Sequence, residues 1–162
     1  MELTIRPATA ADVRLLAEMN RQLADDERSR NSMTVAELAV RMEKWLNEEW
    51  KAVLFEEQSQ LVGYSVFQIG SDYYDPTIPE VHVRQFFIVR ERRCRGLGRQ
   101  ALGLLITTVF PPGAQIHLDV LATNPRGQRF WESLGFQHYS TAMRFAGNSG
   151  NLADNPFPSH ES

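Results

Sequence analysis

The stretch Val81 to Leu102, VHVRQFFIVRERRCRGLGRQAL, constrains the fold of this chain more than any other. It opens with a run of β-formers, Val81 to Val89, suited to a strand. A basic segment, Arg90 to Arg95, follows, and the chain then turns on Gly96 and Gly98. From Leu97 onward, Leu97, Ala101, Leu104, Leu105 and Thr108 recur at helical spacing. A strand that turns on glycines into a helix leaves unpaired backbone N–H groups at the positive end of the helix dipole. Such a junction binds anions, most often phosphate. Glycine suits it because a Cβ would hold the backbone away from the ligand.

Two kinds of phosphate binder share these residues. Gly96-x-Gly98-x-x-Ala101 fits the dinucleotide fingerprint, and Asp119 follows about 20 residues on, as that fingerprint requires. The same stretch also reads Arg-x-x-Gly-x-Gly from Arg93 to Gly98. In that form it resembles the coenzyme A pyrophosphate loop of the GCN5-related N-acetyltransferase (GNAT) family. A dinucleotide fold runs its first strand almost directly into the glycines near the start of a βαβ domain. Here a polar, basic segment intervenes and roughly half the chain comes first, which favours the acetyltransferase loop.

Length and charge narrow the partners. A chain of 162 residues with 43% hydrophobic and 23% charged residues suits one globular domain. A net charge of −3 argues against nucleic-acid binding, so a local arginine cluster is better matched to a small polyanion. The lone cysteine, Cys94, allows no internal disulfide, and no Cys/His spacing suggests a metal. No membrane-length apolar stretch or secretory h-region is present, so a cytoplasmic protein without a membrane partner is expected.

Read in order, the chain alternates clear start and stop signals. Leu3 to Arg6 is a strand closed by Pro7. Thr9 caps a helix over Ala11 to Leu23, with Asp12 in its first turn and Val13, Leu16, Met19 or Asn20, and Leu23 on its buried face. The acidic run Asp25-Asp26-Glu27 then reads either as a solvated turn or as a surface for a cationic amine. Thr34-x-x-Glu37 is a capping box that opens a helix to about Asn47. Ala52 to Glu56 and Leu61 to Ile69 form a hairpin, followed by a loop from Gly70 to Glu80 with Tyr73 and Tyr74 on the surface. After the central strand and helix, Pro111-Pro112-Gly113 ends the helix near Phe110. Gln115 to Leu121 is an alternating strand, and Asn124-Pro125 starts a helix that stops at Gly135. Gln137 to Tyr139 and Ala142 to Phe145 complete a last pair of strands. The domain spans 1–146, and 147–162 forms a tail without periodicity.

The resulting order, β-α-α-β-β-β-α-β-α-β-β, resembles the GNAT fold from Leu3 to Phe145. Asn124-Pro125 followed by Phe130-Trp131-Glu132-Ser133-Leu134-Gly135-Phe136 resembles the late motif of the same family. The resemblance implies an α/β fold, a mixed and mostly antiparallel sheet whose two parallel central strands splay apart between helices. It also implies acetyl-CoA as co-substrate, no metal, and direct acetyl transfer to a primary amine of a small molecule or peptide in a ternary complex. Phe86, Phe87 and Ile88 would then offer free backbone groups to the pantetheine arm. Cys94, Arg95, Gly96, Leu97, Gly98 and Arg99 would hold the pyrophosphate, with Arg93 as the motif arginine and Asn124 on the pantetheine arm. Arg126 and Arg129 are candidates for the adenosine 3′-phosphate.

The resemblance supplies two candidates for the general base. Asp119 and His82 each fall where some family members carry one, and each also reads as a structural strand residue. Trp131 departs from the pattern. Many members place a tyrosine there to protonate the leaving thiolate, and an indole N–H is no acid, so Trp131 is expected as a wall near the sulfur. That departure supports a second reading, a non-catalytic acyl-CoA-binding or sensing domain. A nucleotide-binding oxidoreductase is a third, disfavoured by the unbroken run of strands before the glycines. The acidic segment leans towards cationic acceptors. A homodimer through the final strands is compatible with the resemblance.

Overall fold

Among residues 2–147, which a computed structural model describes, five strands and four α-helices carry the chain. The strands are β1 (Leu3–Pro7), β2 (Lys51–Glu57), β3 (Gln60–Ser71), β4 (Pro79–Ile88) and β5 (Gln115–Leu118). The helices are α1 (Val13–Asp26), α2 (Val35–Asn47), α3 (Leu97–Leu104) and α4 (Pro125–Ser133). The sheet runs β1-β2-β3-β4-β5, antiparallel throughout except for the parallel β4–β5 pair. The mixed, mostly antiparallel sheet flanked by helices is therefore present. A dinucleotide fold is excluded, because it needs a mostly parallel sheet.

Each face of the sheet buries its own core. Leu97, Ala101 and Leu105 from the α3 region pack with Phe55, Phe67, Val81 and Val83 on one side. Leu16 and Met19 of α1 and Met42 and Trp45 of α2 pack with Leu54, Tyr64, Val66 and Phe87 on the other. The helical stripes expected from sequence are thus core. The β2–β3 hairpin turns on Gln58 and Ser59, both at positive φ (53° and 63°), as a two-residue turn between twisted strands requires.

Caps set the helix ends. In α2, Glu37 N donates to Thr34 Oγ1 (3.2 Å), completing the predicted capping box. Thr9 N donates to Asp12 Oδ2 (2.8 Å), but this cap opens a 3₁₀ turn, Ala10–Asp12, and α1 follows and runs on to Asp26. Asp12 is buried and receives both Nη1 and Nη2 of Arg6 (2.9 and 3.0 Å). The Arg6 hydrogen bonds outweigh burial and hold its carboxyl at about 2. A depressed acid stabilises the fold above its unfolded pKa and loses that contribution as pH falls through the folded value. Arg6 is partly open to solvent, so roughly 1–2 kcal/mol is expected to vanish between about pH 4 and pH 2. Denaturant midpoints across that range should show the loss, and Asp12→Asn should flatten it.

The last strand pair is not formed. Residues 137–147 carry no strand, and Tyr139, Met143 and Phe145 are exposed. Their alternation suits a β-strand, but a strand forms only where another edge takes its hydrogen bonds. Here β5 ends at Leu118, shorter than the expected Gln115 to Leu121, and its short outer edge pairs with no described residue. The tail from 148 to 162 lies outside the described residues.

Candidate active site

Pairing between β4 and β5 stops at Val83↔Leu118, while β4 continues to Ile88. The two strands therefore part, and a cleft of about 510 Å³ opens where β5 leaves off. Its walls include Phe86, Phe87 and Ile88 of β4, the Cys94–Arg99 turn, Asp119, Asn124 and Trp131. Val89 N donates to Val62 O of β3, so by alternation the backbone groups of Phe86 and Ile88 face the vacated side. The groups of Phe87 face β3.

A bulge shapes the floor. Val66 pairs with Gln85 and Phe67 with Val83, which leaves Arg84 without a partner on β3. Two consecutive side chains then emerge on the α1–α2 side. The Arg84 guanidinium lies 4.4 Å from the Trp45 ring centroid, and Gln85 Oε1 accepts from Tyr64 Oη at 2.8 Å. Bulges re-aim side chains in this way beside binding sites.

The glycine turn opens α3, as its spacing predicts. Gly96 takes φ +78° and caps α3, whose first internal hydrogen bond runs from Gln100 N to Gly96 O. The N–H groups of Leu97, Gly98 and Arg99 precede that bond and have no helical partner. A Cβ on Gly98 would stand 2.9 Å from the Phe130 ring of α4, so glycine here allows the two helices to meet.

The basic segment is not what its composition suggests. Arg93 donates Nε to Ile88 O (2.7 Å) and Nη2 to Asp26 Oδ2 (2.6 Å), and its guanidinium lies 5.1 Å from the Phe87 ring centroid. Arg90 donates Nε and Nη2 to Asp26 Oδ1 (2.9 and 2.6 Å), and Arg92 pairs with buried Glu57 (3.0 Å). These three arginines brace the loop against α1 and the hairpin. Arg93 is thus engaged inside the protein, and its hold on Ile88 O occupies a carbonyl expected for pantetheine. Arg99 donates to Ser133 O (3.2 Å), Arg126 lies 3.7 Å from Cys94 Sγ, and Arg95 and Arg129 are exposed.

The acidic run separates into three roles. Asp25 pairs with Arg21 (3.0 Å), and Asp26 anchors Arg90 and Arg93. Burial pushes the Asp26 carboxyl up, but the two arginines outweigh it and hold it below the usual range. Glu27 faces the cleft, where burial and then the charge of Asp26 raise its pKa. Its carbonyl accepts from Thr123 Oγ1 (2.7 Å), joining the end of α1 to the loop that carries Asn124. Of the three, only Asp25 is solvent-exposed, and it lies in the last turn of α1 rather than in a loop turn.

The remaining candidates divide. Asp119 lines the cleft just beyond β5, off the strand on which His117 sits. His82 does not line it. Its ring stacks on His117 (centroids 4.5 Å apart) and meets Trp50 edge-on (5.4 Å), while burial and then His117 lower its pKa. Asn124 Oδ1 accepts from Gly127 N (3.0 Å), capping α4, and Asn124 also lines the cleft. Trp131 stands against Phe86, Phe130 and Phe136 at 4.9–5.2 Å, an aromatic wall.

A split β4–β5 pair, a glycine-turned helix start beside it and two acidic residues, Glu27 and Asp119, line one cleft of a mixed sheet flanked by helices. The chain belongs to the acetyltransferase (GNAT) family, whose model matches residues 17–136. No curated protein matches it. Among solved structures it is similar to a possible acetyltransferase from Clostridium difficile 630, with 14% identity over 90% of this chain and 97% of that one (TM-score 0.71). It is also similar to the aminoglycoside N-acetyltransferase AAC(6')-Iy in complex with CoA, at 16% identity over 89% and 93% (TM-score 0.69). A predicted acetyltransferase with acetyl-CoA from Clostridium acetobutylicum shares 16% over 89% and 96% (TM-score 0.67). At these identities the likeness establishes the fold.

Proposed function

We propose that the protein transfers the acetyl group of acetyl-CoA directly to a primary amine of a small molecule or peptide in a ternary complex. The observation that carries this reading is one continuous cleft lined both by the α3 start, with its free helix N–H groups, and by the residues Glu27 and Asp119. In this reading the Leu97, Gly98 and Arg99 N–H groups hold the pyrophosphate, and Cys94, Arg95 and Gly96 shape the turn. Phe86 or Ile88 N–H polarises the thioester carbonyl, Asn124 holds the pantetheine arm, and Trp131 with Phe86 shields the sulfur from water.

Glu27 takes the proton that the acceptor ammonium must lose, because a raised pKa brings a carboxylate closer to the working pH. Asp119 orients the ammonium. The neutral nitrogen attacks the acetyl carbon, the C–S bond breaks, and the second nitrogen proton passes through water to the CoA thiolate, since Trp131 offers only an indole N–H. His82 has no part in this scheme.

The test is a thermal-shift titration with acetyl-CoA, CoA and NAD, followed by thiol release against a panel of amines. A ligand at 100 times its dissociation constant stabilises the native state by about 2.7 kcal/mol. Stabilisation by both CoA forms but not NAD, with amine-dependent thiol release, is expected. CoA binding without release from any amine would instead favour the binding or sensing domain that Trp131 suggests.

Cys94 adds a check on the loop. It is exposed at φ +61° within the turn, so a bulky alkyl group there is expected to abolish the acetyl-CoA shift. Normal CoA binding by the alkylated protein would move the phosphate site elsewhere.

A further inference from the structure

Beside the cleft lies a second, smaller cavity of about 80 Å³, and the two share Leu23, Glu27, Arg84 and Gln85. It has room for about two to three waters, or for one small polar group. Two arginines reach it, Arg41 from α2 and Arg84 from the β4 bulge.

Neither arginine has an acidic partner among the described residues. Six other arginines and Lys44 do form ion pairs with carboxylates. Arg41 donates Nη2 to the neutral Asn20 Oδ1 (3.0 Å), and its Nε is buried with no hydrogen-bond partner. Its guanidinium lies 4.3 Å from the Trp45 ring centroid, and Arg84 lies 4.4 Å from the same ring and 5.0 Å from that of Trp50. Aromatic faces thus hold two cations side by side despite their repulsion. Burial and then Arg84 lower the Arg41 pKa, the mark of a cation without its counter-charge. Gln85 accepts from Tyr64 through Oε1, which leaves its amide N–H groups as further donors.

Two guanidinium groups that line one small cavity without a carboxylate partner point to a ligand anion. We infer that the acceptor is an aminocarboxylate, an amine that also bears a carboxylate, whose carboxylate sits between Arg41 and Arg84 while its amine lies near Glu27. Guanidinium groups match a planar carboxylate, and the small cavity fits that group. The acceptor then carries both charges, with its cationic end towards the acids and its anionic end towards the arginines. Asp25 and Asp26, which in sequence favour a purely cationic acceptor, are already neutralised by protein arginines.

The inference rests on the transferase reading, and one experiment separates the two. Thiol release from acetyl-CoA is measured with amino acids, their methyl esters, their decarboxylated amines and aminoalkyl phosphates. The free aminocarboxylates are expected to exceed their esters and decarboxylated amines at least tenfold in kcat/KM. In Arg84→Gln and Arg41→Gln that ratio should fall towards one, mainly through a raised KM, while Arg14→Gln on the far surface leaves it intact. Two variants are used because Arg41 also supports Asn20. Esters or decarboxylated amines that react as well as the acids overturn the inference alone, as do aminoalkyl phosphates that react better. An unchanged ratio in both variants does the same. Acetyl-CoA binding without turnover of any amine overturns the transferase reading and the inference with it.

Discussion

An Asp26→Asn variant is expected to melt about 4–8 °C below the parent protein and to bind acetyl-CoA at least tenfold more weakly. Asp26 accepts three hydrogen bonds from Arg90 and Arg93 at 2.6–2.9 Å, with its side chain and that of Arg93 about one-fifth exposed. Breaking a buried pair costs about 3–5 kcal/mol and an exposed one less than about 1. A half-buried carboxylate with two partners falls between, at about 2 kcal/mol, and each kcal/mol moves the melting point of a chain this size by about 2–4 °C. The affinity loss follows because Arg93 would no longer tie Ile88 O and the loop to α1. Arg90→Ala is the control. Its side chain is more than half exposed, so it should cost under about 1 kcal/mol. Unchanged melting and affinity in Asp26→Asn would show that the two pairs behave as surface contacts.

Replacing Glu27 with glutamine is expected to lower kcat/KM by about 10²–10⁴-fold, the usual contribution of a positioned general base. Glutamine keeps the shape and loses the proton acceptor, so acetyl-CoA binding should be unaffected. The pH profile carries the sharper signature. Only ionised Glu27 can take a proton, so kcat/KM should rise with pH through an ionisation above the ordinary glutamate value. That limb should disappear in the glutamine variant. Asp119→Asn should retain it and act mainly on KM. If the limb instead survives in Glu27→Gln and disappears in Asp119→Asn, the two roles are reversed.

Local chemistry was legible in the sequence, and distant pairing was not. The Gly96–Gly98 turn, the Thr34–Glu37 box and the Asn124-Pro125 cap each depend on a few adjacent residues, and each stands where the spacing puts it. The arginines of the Arg90–Arg93 segment look like phosphate ligands until Asp26 and Glu57 are found opposite them, partners from other elements of the fold. The acidic run could not be sorted into Asp26 and Glu27 for the same reason. The bulge that exposes Arg84 has no sequence marker, since it arises from the register between β3 and β4. The pattern at 137–147 is that of strands, yet no edge meets it. His82 sits near the cleft by counting from Phe86, but its ring is claimed by Trp50 and His117.

Asp26 and Glu27 are neighbours at the end of α1, one fastened to the Arg90–Arg93 segment and the other facing the cleft. In the transferase reading proposed above, a ligand on that segment and a ligand at Glu27 would be coupled through a single helical turn. Thermodynamic linkage makes that coupling symmetric, so whatever factor acetyl-CoA adds to acceptor affinity, the acceptor adds to acetyl-CoA affinity. Asp26→Asn is expected to shrink that factor towards one, since it loosens the segment from α1.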